Sequence, residues 1–226
     1  CDSLSEDSTT LPGNYYIEKG WLAFSSNNYN DAHANFDIAI ETNDEKSEYH
    51  LLSFIGKGWV DMYKAKTKYD STDALENLLD LSHEYFDTAL NIIQEIDSNL
   101  YTDVNKMDLY AGIVLQNYFV AKQKSANQIL WESINLDLDL EIEEHYRNSI
   151  LYSNRVDNEY IFEYDNEIDY DYITLIKIEN YILVGELDSA IYFFNNSDFE
   201  CIYTVNDSTI VECLCTLINN GKCPFD

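Results

Sequence analysis

The sequence predicts an all-α protein with one elongated domain, and three observations support this. Only 7 Gly and 2 Pro occur among 226 residues, and long stretches without a helix breaker favour helices over a sandwich of short strands. A hydrophobic content of 46% allows one sizeable core. An internal repeat with helical spacing arranges the predicted helices in pairs.

The repeat starts with a three-residue motif that occurs twice. Lys-Gly-Trp at 19–21 recurs at 57–59, each time with an aromatic residue four positions before the Gly. After the first copy, Ala32, Phe36 and Ala39 are spaced so that they fall on one face of a helix. The first unit is therefore predicted to be two successive helices with small and bulky side chains at regular positions.

This pattern resembles the tetratricopeptide repeat, which carries an aromatic residue and a Gly on its first helix and A-x3-F on its second. The resemblance implies a right-handed solenoid of about four helix pairs. In such a unit, Gly20 and Ala32 would let the two helices of a pair approach closely. Phe36 would fill the space between adjacent pairs.

The later units are less regular than the first. Ser82-x3-Phe86 and Ala190-x3-Phe194 complete the second and fourth units. In the third unit, a first helix over 105–121 has two competing partners, Ala126-x3-Leu130 and residues 141–154. Residues 160–170 resemble the extended connector that precedes the last helix pair in secreted tetratricopeptide lipoproteins.

The repeat pattern divides the chain into three parts. Residues 1–13 are predicted to be a polar tether, residues 14–200 the helical repeat domain, and residues 201–226 a Cys-rich cap packed on the same domain. A terminal helix capped by Asp207 or Ser208 and running to Asn220 would close the solenoid. Such a cap is expected because a terminal repeat has no neighbour to cover its outer face.

Four cysteines lie in the last 26 residues, at positions 201, 213, 215 and 223. An even number in a short span predicts two disulfides and an oxidising compartment. A bridge between Cys213 and Cys215 is geometrically poor, so Cys201 is expected to pair with one of them and Cys223 with the other. A zinc site is the alternative, but its usual C-x2-C spacing is missing.

The beginning of the sequence, Cys1 followed by a polar stretch, resembles a mature bacterial lipoprotein. The resemblance implies export and a lipid anchor on Cys1 in the outer membrane, on its periplasmic or outer face, or else an extracellular protein. The alternative is a sequence boundary that falls at a Cys by chance. The sequence contains no run of about 20 apolar residues, so membrane contact is expected only through Cys1.

Charge and motifs exclude several classes of function. A net charge of −29 repels phosphate backbones, so no nucleic-acid partner is expected. Phosphate-binding loops, the H-E-x-x-H pair and the G-x-S-x-G elbow are absent from the sequence. We therefore expect no enzymatic activity, no cofactor and no catalytic residue.

Aromatic residues indicate a binding surface. In tetratricopeptide proteins the first helix of each pair lines a concave groove, and exposed Tyr and Trp are typical of binding hot spots. Transfer of that pattern places six residues in the groove: Ile17, Trp21, Phe24, Trp59, Met62 and Tyr63. The alternative is that these rings pack between first helices or beneath the C-terminal segment.

One acidic stretch is a weak candidate for calcium, because its oxygen ligands occur at alternating positions. Its members are Asp165, Glu167, Asp169 and Asp171. The stretch lacks the Gly that a tight calcium loop needs, so a solvated acidic surface is the preferred interpretation and no metal is expected.

The sequence as a whole predicts a lipid-anchored adaptor of the bacterial envelope that holds a protein or peptide partner in its groove. The alternative is a structural subunit that assembles with copies of itself. Head-to-tail contacts between solenoid ends would then build a filament, because such an interface does not close.

Overall fold

The computed structural model describes residues 14–45, 47–67, 72–95, 103–130, 136–201 and 203–219. Within these ranges the chain is helical, and an isolated antiparallel bridge between Ile161 and Asp169 is the one β-type pairing. The all-α prediction is confirmed. In the same ranges, no helix is both long enough and apolar enough to cross a lipid bilayer.

The described ranges contain nine helices. They are α1 (Tyr15–Ser25), α2 (Tyr29–Thr42), α3 (Glu48–Thr67), α4 (Thr72–Glu95), α5 (Asp103–Leu130), α6 (Leu136–Ser153), α7 (Tyr170–Leu183), α8 (Leu187–Asn195) and α9 (Ile210–Asn219). Each helix packs against the next one along the chain, and each odd-numbered helix also contacts the next odd-numbered helix. The odd-numbered helices therefore form a continuous layer.

Phe36 fixes the spacing between α1, α2 and α3. Its fully buried ring lies between Gly20 of α1 and Gly56 of α3. A Cβ atom on Gly20 would lie 2.5 Å from a carbon of the Phe36 ring, and one on Gly56 would overlap the same ring. Since no side chain fits at either position, three successive helices can approach one bulky residue.

The next unit repeats this arrangement around Phe86 of α4. A Cβ atom on either Gly58 or Gly112 would lie 2.5 Å from the Phe86 ring, so α3 and α5 both approach it closely. Ser82 occupies the position equivalent to Ala32 and donates a hydrogen bond to the carbonyl oxygen of Gly58 at 2.8 Å. The predicted small and bulky positions thus meet between neighbouring helices.

The third helix pair is α5 with α6. Of the two partners that the sequence left open, residues 126–130 continue α5, whereas residues 141–154 fall largely in α6, which packs against α5. No Gly or Pro interrupts the sequence between 113 and 130, which explains why one long helix continues there. In α6, Ile142, Tyr146 and Ser149 are buried at the same spacing as Ala32, Phe36 and Ala39.

The C-terminal helices share a separate hydrophobic cluster. Ile178 of α7, Phe194 of α8 and Leu214 of α9 are buried in it together. Helix α9 begins at Ile210, just after the caps predicted at 207 and 208, because a hydrogen-bonded turn over residues 206–209 precedes it. The first turn of α9 is bonded to that turn, with the Cys213 amide donating to the Thr209 carbonyl at 2.9 Å.

One disulfide links Cys201 to Cys213, with the Cα atoms 5.3 Å apart. This confirms one of the two pairings that the sequence left open for Cys201. Cys215 is also disulfide-bonded. The predictions for Cys223 and for the tether over residues 1–13, including Cys1, lie outside the described residues.

Candidate binding groove

The six predicted groove residues lie together on the layer of odd-numbered helices. Three come from α1 and three from α3, and all belong to or pack against one hydrophobic cluster. We call the side of α1, α3 and α5 that carries Trp21, Trp59 and Asp108 the odd-helix face. Sequence spacing places these side chains on one side of each helix, and the contact between α1, α3 and α5 brings them side by side.

A segment of the same chain, residues 156–169 between α6 and α7, covers the odd-helix face, and we call it the groove segment. At its centre is Phe162, which is fully buried. The Phe162 ring stacks on the Trp59 indole with centroids 4.1 Å apart and planes inclined by 17°. It also meets Trp21 edge-to-face at 5.9 Å and Phe24 at 6.1 Å.

The residues on either side of Phe162 alternate as in an extended strand. Tyr164 stacks on Trp21, with ring centroids 4.2 Å apart and planes 2° apart. Tyr160 is buried, whereas Ile161 is 65% exposed and Glu163 is exposed. Residues 160, 162 and 164 therefore face the helices while the residues between them face solvent, which is the period-two pattern of an extended chain.

The backbone of the groove segment is bonded mainly to itself. The Phe162 amide donates to the Ile168 carbonyl at 2.8 Å, and the Tyr170 amide donates to the Tyr160 carbonyl at 3.0 Å. Its contacts with the helices are therefore made largely by side chains. The side chains of Val156, Tyr160, Phe162 and Ile168 are buried in the same hydrophobic cluster as the odd-helix face.

These contacts correct the expectation of an open groove. Ile17, Trp21, Phe24, Trp59 and Met62 are each at most 5% exposed. The physical reason is that large apolar rings in an open groove would leave much hydrophobic surface in water, and the groove segment removes it. The alternating aromatic residues at 160, 162 and 164 are the sequence feature from which a covered groove could have been predicted.

A buried carboxyl group joins the groove segment to α5. The Tyr160 hydroxyl donates to Asp108 Oδ1 at 3.1 Å, and the Trp59 indole Nε1 donates to the Asp108 carbonyl oxygen at 3.1 Å. Burial raises the pKa of the Asp108 side chain to about 7, while the hydrogen bond from Tyr160 opposes that rise. Sequence analysis missed this residue, because an Asp in a helix carries no mark of burial.

The calcium candidates occupy separate structural positions. Asp165 accepts hydrogen bonds from the Tyr63 hydroxyl and, at 3.1 Å, from the Glu167 amide. Asp169 caps the start of α7 by accepting from the Tyr172 amide at 2.8 Å. In the part of the chain that the structure describes, no three His, Cys, Asp or Glu side chains converge as metal ligands would. The calcium candidates stay a prediction from the sequence.

One end of the groove opens into a cavity of about 520 Å³. Its aromatic walls come from Phe24, Tyr29, Tyr63 and Tyr164, and its acidic wall comes from residues 163–167. Burial and the neighbouring Asp165 carboxylate both raise the pKa of Tyr63 well above its usual range, so its hydroxyl stays protonated. The cavity is where the predicted groove residues remain closest to solvent, because Tyr63 is half-buried whereas its five partners are buried.

The structure thus brings the six groove residues and Asp165 to one place, and it separates them from the disulfide between the segment after α8 and helix α9. The groove is formed by α1, α3, α5 and the groove segment. The cavity at its end is lined by the end of α1, the start of α2, Tyr63 of α3 and residues 163–167. Comparison of the chain with protein-family models, with curated proteins and with solved structures found no match.

Proposed function

We propose that this protein is a non-enzymatic scaffold for protein–protein interaction, built as a tetratricopeptide-like solenoid of four helix pairs with α9 as its cap. One observation carries the proposal: the odd-helix face holds an extended polypeptide through alternate aromatic side chains. That polypeptide is residues 160–164 of the same chain, stacked on Trp21 and Trp59. A surface that binds one extended segment in this way has the shape and chemistry to recognise another.

The glycine and phenylalanine packing supports the tetratricopeptide-like part of the proposal. Phe36 and Phe86 each fill the space between two first helices and meet a Gly on both sides. A repeated unit that buries its bulky residue partly against the next unit is typical of a solenoid. Handedness and the number of repeats belong to this proposal.

The groove segment restricts how a partner can bind. Phe162 and Tyr164 already cover Trp59 and Trp21, so a partner binds beside the segment or displaces it. The rim beside the segment is acidic, and the protein as a whole carries a net charge of −29. Such a field attracts basic partners and speeds their encounter at low salt.

Attachment to the bacterial envelope through a lipid on Cys1 is a further part of the proposal, supported by the sequence resemblance. The wild-type protein should partition into detergent after expression with its export signal, and a Cys1→Ser variant should remain in the aqueous phase. Equal partitioning of the two proteins would contradict the lipid anchor.

Site-specific photo-crosslinking tests the scaffold function. A photoreactive amino acid at Ser25 or Asn27, both at the mouth of the cavity, should give discrete adducts with a protein partner in the envelope. The same amino acid at exposed Glu84 on α4 is the matched control and should not give them. Identical adducts from both faces, or none from the mouth, would contradict the proposal.

The mass of the adducts separates the two kinds of partner. An adduct with twice the mass of the chain, together with a sedimentation coefficient that rises with concentration, would favour assembly with copies of itself. An adduct with a different polypeptide and a constant sedimentation coefficient would favour the adaptor.

A further inference from the structure

We propose that the open cavity between the end of α1 and residues 163–167 binds a positively charged organic group, either an alkylammonium or a guanidinium. This inference names the chemistry of the partner in the proposed function. The part of it in which the cation is a side chain of a partner polypeptide rests on that function. The cavity measures about 520 Å³, which lies within the roughly 300–1,000 Å³ typical of small-ligand sites. That size exceeds what a single ordered water or a dehydrated metal ion needs.

The aromatic wall of the cavity is a cluster of three rings in mutual contact. Phe24 meets Tyr63 with centroids 4.9 Å apart and Tyr29 with centroids 5.7 Å apart, and Tyr29 and Tyr63 are 5.9 Å apart. Tyr164 contributes a fourth ring to the lining. Aromatic faces attract cations through their quadrupole, and cages of this kind hold quaternary ammonium and guanidinium groups.

The acidic wall faces these rings from the groove segment. It carries Glu163, Asp165 and Glu167, and none of the described residues that line the cavity is basic. Lys66 lies over the Tyr63 ring at 5.5 Å and lines the smaller adjoining cavity of about 70 Å³. The carboxylates at 163 and 167 are exposed, so they remain available to a ligand.

The end of α1 adds negative potential from a third direction. Ser25 is the last residue of α1 and lines the cavity, as does Asn27, whose backbone has φ of 58°. The C-terminal end of a helix carries a partial negative charge, and basic side chains commonly occupy its last turn. Helix α1 has no basic residue there, so a cation from outside could take that position.

The aromatic and acidic walls of the cavity together favour binding of an organic cation over a metal ion. Asp165 is already bonded to the Tyr63 hydroxyl, and no three metal-ligating side chains converge in the described parts of the chain. A metal ion gains little from aromatic faces, whereas an alkylammonium or guanidinium contacts rings and carboxylates together. Such a group can be a free small molecule or the Lys or Arg side chain of a partner.

Nuclear magnetic resonance titration of the full chain with three probes tests the site and separates the two sources. Choline represents the free cation, 3,3-dimethyl-1-butanol is its uncharged isostere, and an acetylated Gly-Arg-Gly amide represents a partner side chain. Choline and the peptide should each shift the ring signals of Tyr29 and Tyr63 in a saturable manner. The uncharged isostere should bind at least tenfold more weakly.

Three variants and a matched control show where the cation binds. Glu163→Gln with Glu167→Gln should weaken choline binding by roughly three- to tenfold. Glu84→Gln with Glu200→Gln removes the same charge from exposed positions away from the cavity and should change it less than twofold. Tyr29→Leu should weaken binding, and Tyr29→Phe should retain it because the ring face is kept.

The results of the titrations and of the crosslinking test the cation site and the scaffold function separately. An equal loss in both double variants, or equal binding of choline and its isostere, would overturn the cation site. If choline binds and no peptide does, the site holds a free cation and the scaffold function loses this support. If crosslinked partners persist in a protein that binds neither cation, the scaffold function survives and this inference is wrong.

Discussion

The side chain of Phe162 stacks on the indole of Trp59, with ring centroids 4.1 Å apart. One residue belongs to the groove segment and the other to α3, more than 100 positions earlier in the chain. This contact closes the odd-helix face and places the acidic residues 163–167 beside the aromatic rings of α1 and α3. The stability of the fold and the geometry of the cavity therefore depend on the same segment.

Phe162→Ala should lower the free energy of unfolding by about 3–5 kcal/mol, because it removes a fully buried ring and leaves a cavity against Trp59. Urea denaturation measures the change. Ile161→Ala is the control, since Ile161 is 65% exposed, and it should change stability by no more than about 0.5 kcal/mol. Similar losses from both variants would show that the groove segment is not held by its inward-facing rings.

Gly20→Ala should destabilise the protein by about 1–3 kcal/mol, although Ala is the better helix former by about 1 kcal/mol. The added methyl group would lie 2.5 Å from the Phe36 ring and would push α1 away from α2. A double-mutant cycle with Phe36→Leu checks the cause. The two changes should be non-additive, with Gly20→Ala less harmful when the ring is absent. If the two changes in unfolding free energy add, the strain in Gly20→Ala does not come from contact with the Phe36 ring.

Asp108 should make stability fall as the pH rises from about 4 to 7. Its folded pKa is about 7, above the ordinary value of 3.8, so the unfolded chain loses this proton first. The contribution of Asp108 to the free energy of unfolding is fully present below about pH 4 and is lost above about pH 7. At about 1.4 kcal/mol for each pKa unit, the complete change approaches ~4 kcal/mol as an upper bound.

Asp108→Asn should remove this contribution, because the amide oxygen can still accept from Tyr160 and carries no charge. The difference in unfolding free energy between wild type and variant, measured at several pH values, isolates the group from the many other carboxylates. Exposed Asp198→Asn should leave the pH profile almost unchanged. If the unfolding free energies of wild type and Asp108→Asn change in parallel with pH, Asp108 is not a buried carboxyl group that titrates in this range.

Cys201→Ala with Cys213→Ala should loosen α9 more than the rest of the protein. The bridge closes a loop with a sequence separation of 12, for which chain entropy gives about 3 kcal/mol of stabilisation. Hydrogen exchange at the α9 amides should accelerate, while amides of α3 and α5 exchange as in wild type. Uniform acceleration throughout the chain would mean that the C-terminal cluster does not open separately from the main core.

The helices were largely predictable from the sequence, because scarce Gly and Pro and periodic apolar residues act locally. The roles that the tetratricopeptide resemblance implied for Gly20 and Phe36 agree with the close approach of the Phe36 ring to Gly20 and Gly56. The competition in the third unit was not resolved by spacing, since Ala126 and Leu130 fit the pattern as well as Ile142 and Tyr146. The structure decided it, because residues 126–130 continue α5 and the separate helix α6 packs against α5.

The candidate site was less predictable from the sequence than the helices were. The six groove residues lie together, but the sequence left open whether they are exposed or buried, because burial depends on a segment more than 90 positions away in sequence. The raised pKa of Asp108 comes from burial. The side chains of Tyr160 and Trp59, which contact Asp108, come from distant parts of the chain, so the sequence around Asp108 does not reveal that burial.

The sequence by itself determined an acidic, helical chain in which small and bulky residues recur in pairs of helices. These properties follow from local backbone preference and from side-chain periodicity, which a linear pattern contains. Only the tertiary structure decided that residues 156–169 cover the odd-helix face and leave a cation-attracting cavity at its end. The segment covers this face because Trp21, Trp59 and Phe162 are buried together. Burial between two segments that are distant in sequence cannot be read from the residue spacing within either segment.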